Sequence, residues 1–238
     1  MNENKKIQVG VIISANSEWR AAKSTLSPEK IGLCPYGEYF YHGDLVFLRG
    51  GCGKVDAAAS AQYLISKWGP SIVFNLGTCG GIAGEVSRGD LILVEKTIIY
   101  DMYEKMSDPD QFIREYSTDI DLCWLETCPL PVTRETMLSA DRDLDQSDIP
   151  HLKSKYGAKV VDWESGSIAR VCQKNNVKCL IIRGVSDTVS LEKPQSYQKN
   201  TDDYHTGAKD IIPKLIHSLP EWIPKLSHCN RDDHQNRV

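Results

Sequence analysis

Short, almost continuously apolar runs recur along the chain, separated by polar or Gly-rich breaks. Segments 9–14, 45–49, 72–76, 91–99 and 180–185 are rich in Val, Ile and Leu, and this predicts strands. Their interiors lack polar alternation, so the sheet they form is expected to be covered on both faces. Between the runs the period changes. Ala61, Leu64, Ile65 and Trp68 keep i, i+3, i+4, i+7 spacing after Gly53 and Lys54, and Ile168, Val171 and Cys172 keep it behind Asp162, an expected N-cap. A third helix is expected over 202–218, with Pro220 helping to end it. Alternating strands and helices predict one α/β domain over 1–226 around a parallel or mixed sheet, followed by a polar tail at 227–238. Residues 101–150, rich in Asp and Pro, read as long loops with a short helix, and no repeat of 20 to 50 residues is present.

Composition narrows the function classes. A chain of 238 residues with 41% hydrophobic and 25% charged side chains has ample core material, which excludes a fibrous or wholly disordered protein. The formal net charge of -4 offers no general attraction to phosphate backbones or anionic lipid, so neither nucleic acid nor membrane is an expected partner. No stretch approaches the roughly 18 apolar residues that span a bilayer. The first six residues are polar and the apolar run behind them is too brief for a signal peptide. Eight cysteines are scattered without C-x-x-C spacing or paired histidines, which suits reduced thiols in the cytoplasm better than disulfides or a metal site.

Candidate chemistry begins with two Gly-rich segments, Gly50-Gly51-Cys52-Gly53-Lys54 and Gly77-Thr78-Cys79-Gly80-Gly81, each expected as a turn after a strand. Neither is a Walker A loop, because Val55 stands where a Ser or Thr would hold magnesium. Neither gives a dinucleotide fingerprint. Further on come Val161-Asp162-Trp163-Glu164 and Arg183-Gly184-Val185-Ser186-Asp187. These place Glu164 at a helix start and Asp187 just beyond the carboxyl end of a strand, where ligands collect in α/β sheets. On spacing alone, both carboxylates could equally be helix-start or turn residues.

In order and wording these four segments resemble the purine nucleoside phosphorylase and nucleosidase superfamily, and within it most closely the 5′-methylthioadenosine/S-adenosylhomocysteine nucleosidases. The resemblance covers roughly 7–100 and 155–218. It implies a three-layer α/β/α sandwich with a central mixed sheet, no cofactor and no metal. It implies that Glu164 binds the ribose hydroxyls, that Asp187 is the general acid at purine N7, and that Ser186 holds Asp187. Gly77, Thr78, Cys79 and Gly80 would line the base and ribose pocket. Trp163, before the ribose-binding Glu, would reshape the 5′ side of the pocket or fill core volume, and Tyr197 would close over the ligand from a lid. It also implies a homodimer or an assembly of dimers, for which the apolar content of 101–135, including Met102, Tyr103, Met106, Phe112 and Trp124, gives slight independent support.

The nucleophile at C1′ divides the superfamily. Phosphorylases carry a phosphate-clamping Arg two residues before the first Gly of the second Gly-rich segment; here that residue is Asn75, as in the nucleosidases. Nucleosidases use a Glu of the first strand-to-helix loop to activate water. Glu18 is the only carboxylate in that loop; a gap-free alignment sets Trp19 at the position, and one deletion sets Glu18 there. Arg20 and Arg49 are candidate phosphate ligands. The resemblance thus implies a nucleosidase acting on adenosine-type thionucleosides, with Asp187 and Glu18 as catalytic residues and water as co-substrate. The alternatives are a phosphate-dependent phosphorylase and a nucleoside-binding protein without turnover.

Overall fold

The computed structural model describes residues 8–192 and 197–224, without the side chains of 197–200. The tail 227–238 lies outside the described residues. In chain order the elements are β1 (Val9–Ile13), α1 (Asn16–Leu26), β2 (Gly32–Cys34), β3 (Gly37–His42), β4 (Leu45–Arg49), α2 (Gly53–Trp68), β5 (Ile72–Ile82), β6 (Leu91–Ile99), α3 (Gln111–Tyr116), β7 (Thr118–Asp119), β8 (Thr133–Ser139), α4 (Ile149–Tyr156), β9 (Val160–Asp162), α5 (Ser165–Lys174), β10 (Lys178–Val189) and α6 (Tyr197–Trp222).

One mixed sheet organises them. Parallel pairing joins β4 to β1, β1 to β5 and β5 to β10, while β3 and β2 extend the β4 edge antiparallel. From β10 the sheet turns through β6, β8 and β9 and returns to β5, so that part of it closes on itself. Alternation along β1 feeds a separate core on each face of the sheet. Val9, Val11 and Ile13 of β1 pack with Phe74, Leu180 and the α6 residues Ile211, Ile212 and Leu215. Ile12 faces the other way, towards Ala57, Ala61 and Leu64 of α2 and Ile168 of α5. Helices thus cover both faces, in agreement with the expected three-layer α/β/α arrangement. No helix among the described residues is long and apolar enough to cross a membrane.

Several expectations change. The segment from Gly77 to Gly81 is not a turn, because β5 runs through it to Ile82. β10 likewise continues past Val185, so Asp187 lies within the strand and not beyond it. Helix α6 passes Pro213 and Pro220 to reach Trp222, so Pro220 does not end it. Residues 101–150 hold α3, β7, β8 and the start of α4 and not only loops. The formal N-cap of α5 is Glu164, although the Asp162 side chain does accept from the Ser165 N–H at 3.1 Å.

Candidate active site

Where β1, β5 and β10 end side by side, a cavity of about 330 Å³ opens towards the start of α6. Its wall includes Glu18, Thr78, Cys79, Gly80, Trp163, Glu164, Ser186 and Asp187. Gly77 is not part of that wall. It lies directly opposite Arg183 in the β5–β10 register, and a Cβ there would sit 2.0 Å from Arg183 Nη1. Glycine at 77 leaves room for a guanidinium inside the sheet.

Glu18 enters the cavity from the first turn of α1 and is 2% exposed. One oxygen accepts the Thr78 N–H at 2.6 Å and the Thr78 hydroxyl at 2.8 Å, and the other accepts the Ala15 N–H at 3.2 Å. Trp19 points the opposite way. It is buried against Phe40, with its Nε1–H donating to Glu38 at 2.6 Å. Glu18 and not Trp19 therefore supplies the carboxylate of this loop. Arg20 is exposed and bonds Ser17 at 3.2 Å, and Arg49 pairs with Asn16; neither lines the cavity.

Glu164 is held by the N-terminus of α2, where the Gly53 N–H donates to its Oε1 at 3.1 Å. Gly53 has φ +84, a left-handed conformation that favours glycine. The turn is fixed further by Lys54, whose N–H donates to Asp141 at 2.7 Å and whose ammonium pairs with Asp101. Burial pushes the Glu164 carboxyl up to about 8. Arg183 opposes that rise, and the charges of Asp162 and Glu18 reinforce it.

Arg183 is the buried cation of the site. Its Nη2 lies 2.9 Å from Asp162 and 3.9 Å from Glu164, and it donates to Asn75 at 2.7 Å and, through Nε, to Ser165 at 3.0 Å. Asn75, which stands where phosphorylases carry their phosphate-binding Arg, is thus committed to Arg183 and the Ile12 carbonyl. In the sequence Arg183 is visible only as part of the Arg183-Gly184-Val185-Ser186-Asp187 motif. The Gly77 opposite it was the available signal.

Asp187 owes its placement to a register shift. Val185 pairs with Cys79 and Asp187 with Gly80, leaving Ser186 as the extra residue, a device that re-aims a side chain. The Ser186 hydroxyl lies 2.7 Å from Asp187 Oδ1 and 3.3 Å from the Cys79 carbonyl oxygen. Burial raises the Asp187 carboxyl above its ordinary value, against the hydrogen bond from Ser186. Burial also pushes the Cys79 thiol well up, which leaves it a protonated wall residue.

The remaining residues divide. Trp163 lines the cavity while 36% exposed, so it does not fill core volume. The side chain of Tyr197 lies outside the described residues. Tyr204, two helical turns further along α6, does line the cavity, and its hydroxyl pKa is raised by burial. No motif in the sequence marks it. Among the described residues no cluster of His, Cys, Asp or Glu could hold a metal ion.

Comparisons with known proteins agree with this fold. The family profile of the phosphorylase superfamily matches residues 11–216. The 5′-methylthioadenosine/S-adenosylhomocysteine nucleosidase of Halalkalibacterium halodurans is 25% identical over 228 residues, covering 89% of this chain and 99% of that one. Two solved structures from Helicobacter pylori share the fold at TM-score 0.77 over 90% of this chain and 98% of theirs. They are a 5′-methylthioadenosine/S-adenosylhomocysteine nucleosidase at 18% identity and a futalosine hydrolase at 16%. With the family match spanning most of its length, the chain belongs to the phosphorylase superfamily.

Proposed function

We propose that the protein is a nucleosidase that hydrolyses the N-glycosidic bond of adenosine-type nucleosides, 5′-methylthioadenosine and S-adenosylhomocysteine among them. The observation that carries this reading is the convergence of Glu18, Glu164 and Asp187 on one cavity while Arg20 and Arg49 stay outside it. Curated relatives named as nucleosidases support it.

Each carboxylate meets one demand of the reaction. Breaking the C1′–N9 bond leaves positive charge on the sugar and an electron pair on the purine. Asp187, whose carboxyl burial raises above its ordinary value, delivers a proton to N7 so that the base leaves neutral. Glu164 accepts hydrogen bonds from the ribose 2′- and 3′-hydroxyls, and its negative charge when ionised stabilises the cationic sugar. Glu18 takes the proton of the water that adds to C1′, and the Thr78 donors fix its orientation. Arg183, 3.9 Å from Glu164, offsets the charge of three neighbouring carboxylates in this water-poor site. The products are a free purine and a sugar with a hydroxyl at C1′.

Incubation with methylthioadenosine in the absence and presence of phosphate tests this. Adenine release without phosphate is expected. Strict phosphate dependence with a sugar 1-phosphate product would make the protein a phosphorylase, and nucleoside binding without base release would make it a binding protein. The seven described cysteines are all free thiols, which suits a reducing cytoplasm. A dimer fits the exposure of Val55, Tyr103, Met106 and Phe112; Trp124, by contrast, is core.

A further inference from the structure

Helix α6 meets the strand that carries Asp187 at one very close contact. Gly207 is buried on α6, three residues beyond the cavity-lining Tyr204. A Cβ at 207 would stand 2.9 Å from Ser186 Cβ, 3.0 Å from its Cα and 3.4 Å from its carbonyl oxygen. None of these atoms is the free end of a flexible side chain, so a methyl group there displaces either the helix or the strand. Glycine weakens a helix interior relative to alanine, and no positive φ asks for it at 207. What it supplies is the approach to Ser186.

Ser186 is the residue at which the β5–β10 register slips, and its hydroxyl has two partners. It lies 2.7 Å from Asp187 Oδ1 and 3.3 Å from the Cys79 carbonyl oxygen. With Asp187 ionised, the hydroxyl donates to the carboxylate; with Asp187 protonated, it accepts from the acid and donates to the carbonyl. Both states of a group that must lose and regain a proton are therefore satisfied in place. We propose that Gly207 is a positioning residue: by seating the α6 backbone on Ser186 it holds the register shift, and with it the Ser186 hydroxyl, in line with the Asp187 carboxyl. This rests on the reading of Asp187 as the acid at N7. The bond to the ionised state is the stronger of the two, and it holds the Asp187 carboxyl down against the effect of burial. Asp203, Asp143 and Arg88 also act on Asp187, and Arg88 pairs with Asp203 at 2.7 Å.

The test follows kcat and the pH profile of kcat/KM for methylthioadenosine, without phosphate, in Gly207→Ala, Ser186→Ala and the double variant. Gly207→Ala is expected to lower kcat roughly 10- to 100-fold, as a displaced catalytic group does. Its alkaline limb, which reports the acid, is expected to move to higher pH, because Asp187 loses the bond that favours its ionised form. A glycine that served packing alone would change Tm and leave that limb in place. Ser186→Ala is expected to move the limb in the same direction, and adding Gly207→Ala to it moves the limb no further, since the two act through one hydroxyl. A Gly207→Ala enzyme whose limb stays at the wild-type position overturns the inference, whatever its Tm, as does an additive displacement in the double variant. An unmoved limb in Ser186→Ala overturns it even where Gly207→Ala does not fold. Asp187→Asn with wild-type turnover overturns the acid and this inference together, whereas a crippled Asp187→Asn beside an unmoved limb overturns the inference alone.

Discussion

At the scale of single residues, Asp187 and Glu164 make separable predictions. Asp187→Asn keeps the shape and the Ser186 contact but has no proton to deliver, so turnover is expected to fall about 10²- to 10⁴-fold with nucleoside affinity largely kept; calorimetry beside steady-state rates checks this. Glu164 makes a prediction about stability. Its carboxyl is raised in the folded protein to about 8 from 4.5. Between those values the folded state holds a proton that the unfolded chain has lost, so stability falls as pH rises through that window. Glu164→Gln removes the titration. Thermal unfolding should therefore show the variant gaining on the wild type between pH 5 and pH 8, and parallel curves would remove Glu164 as a strained acid. Both carboxylates were legible in the sequence because their motifs resemble a family. Tyr204 was not, since nothing local separates it from Tyr197 seven positions earlier in the sequence. Arg183 was missed for another reason: a buried cation is defined by Asp162, Asn75 and Ser165, all remote or unremarkable in sequence.

At the scale of elements, the β5–β10 pair is what builds the site. The two strands run parallel over their full length, carrying Thr78, Cys79, Arg183 and Asp187 to one end of the sheet. Their apolar first halves were plain in the sequence, but the glycines that follow imitate a turn. Glycine belongs there for space, not for turning. Gly77→Ala would push a methyl into the Arg183 guanidinium and break its pairing with Asp162. Disrupting a buried pair costs about 3–5 kcal/mol. For a chain of this size that is a fall in Tm on the order of 10 °C, readable by calorimetry; a variant within about 2 °C of the wild type would contradict this role. Strands β8 and β9 escaped notice because Thr133–Ser139 opens on exposed polar residues and Val160–Asp162 is only three residues long. Their hydrogen bonds come from distant partners, which no local pattern records.

At the scale of the whole molecule, four apolar side chains, Val55, Tyr103, Met106 and Phe112, are exposed and would be covered by a subunit contact. Light scattering is expected to give twice 26.7 kDa or a multiple of that dimer; a fully active monomer at nanomolar concentration would contradict the assembly. The layered α/β/α arrangement was legible because the central strands are apolar almost throughout, as a sheet covered on both faces requires, whereas partial closure of the sheet depends on register and was not. The central claim is that water, activated by Glu18, attacks C1′. The most direct measurement is the rate of base release from methylthioadenosine by Glu18→Gln and Arg20→Ala, each with and without phosphate. Glu18→Gln is expected to lose most of its turnover, because an amide cannot take the proton of the attacking water, while Arg20→Ala, an exposed residue outside the cavity, stays close to the wild type in both conditions. An intact Glu18→Gln enzyme beside a phosphate-dependent, crippled Arg20→Ala one would contradict the account.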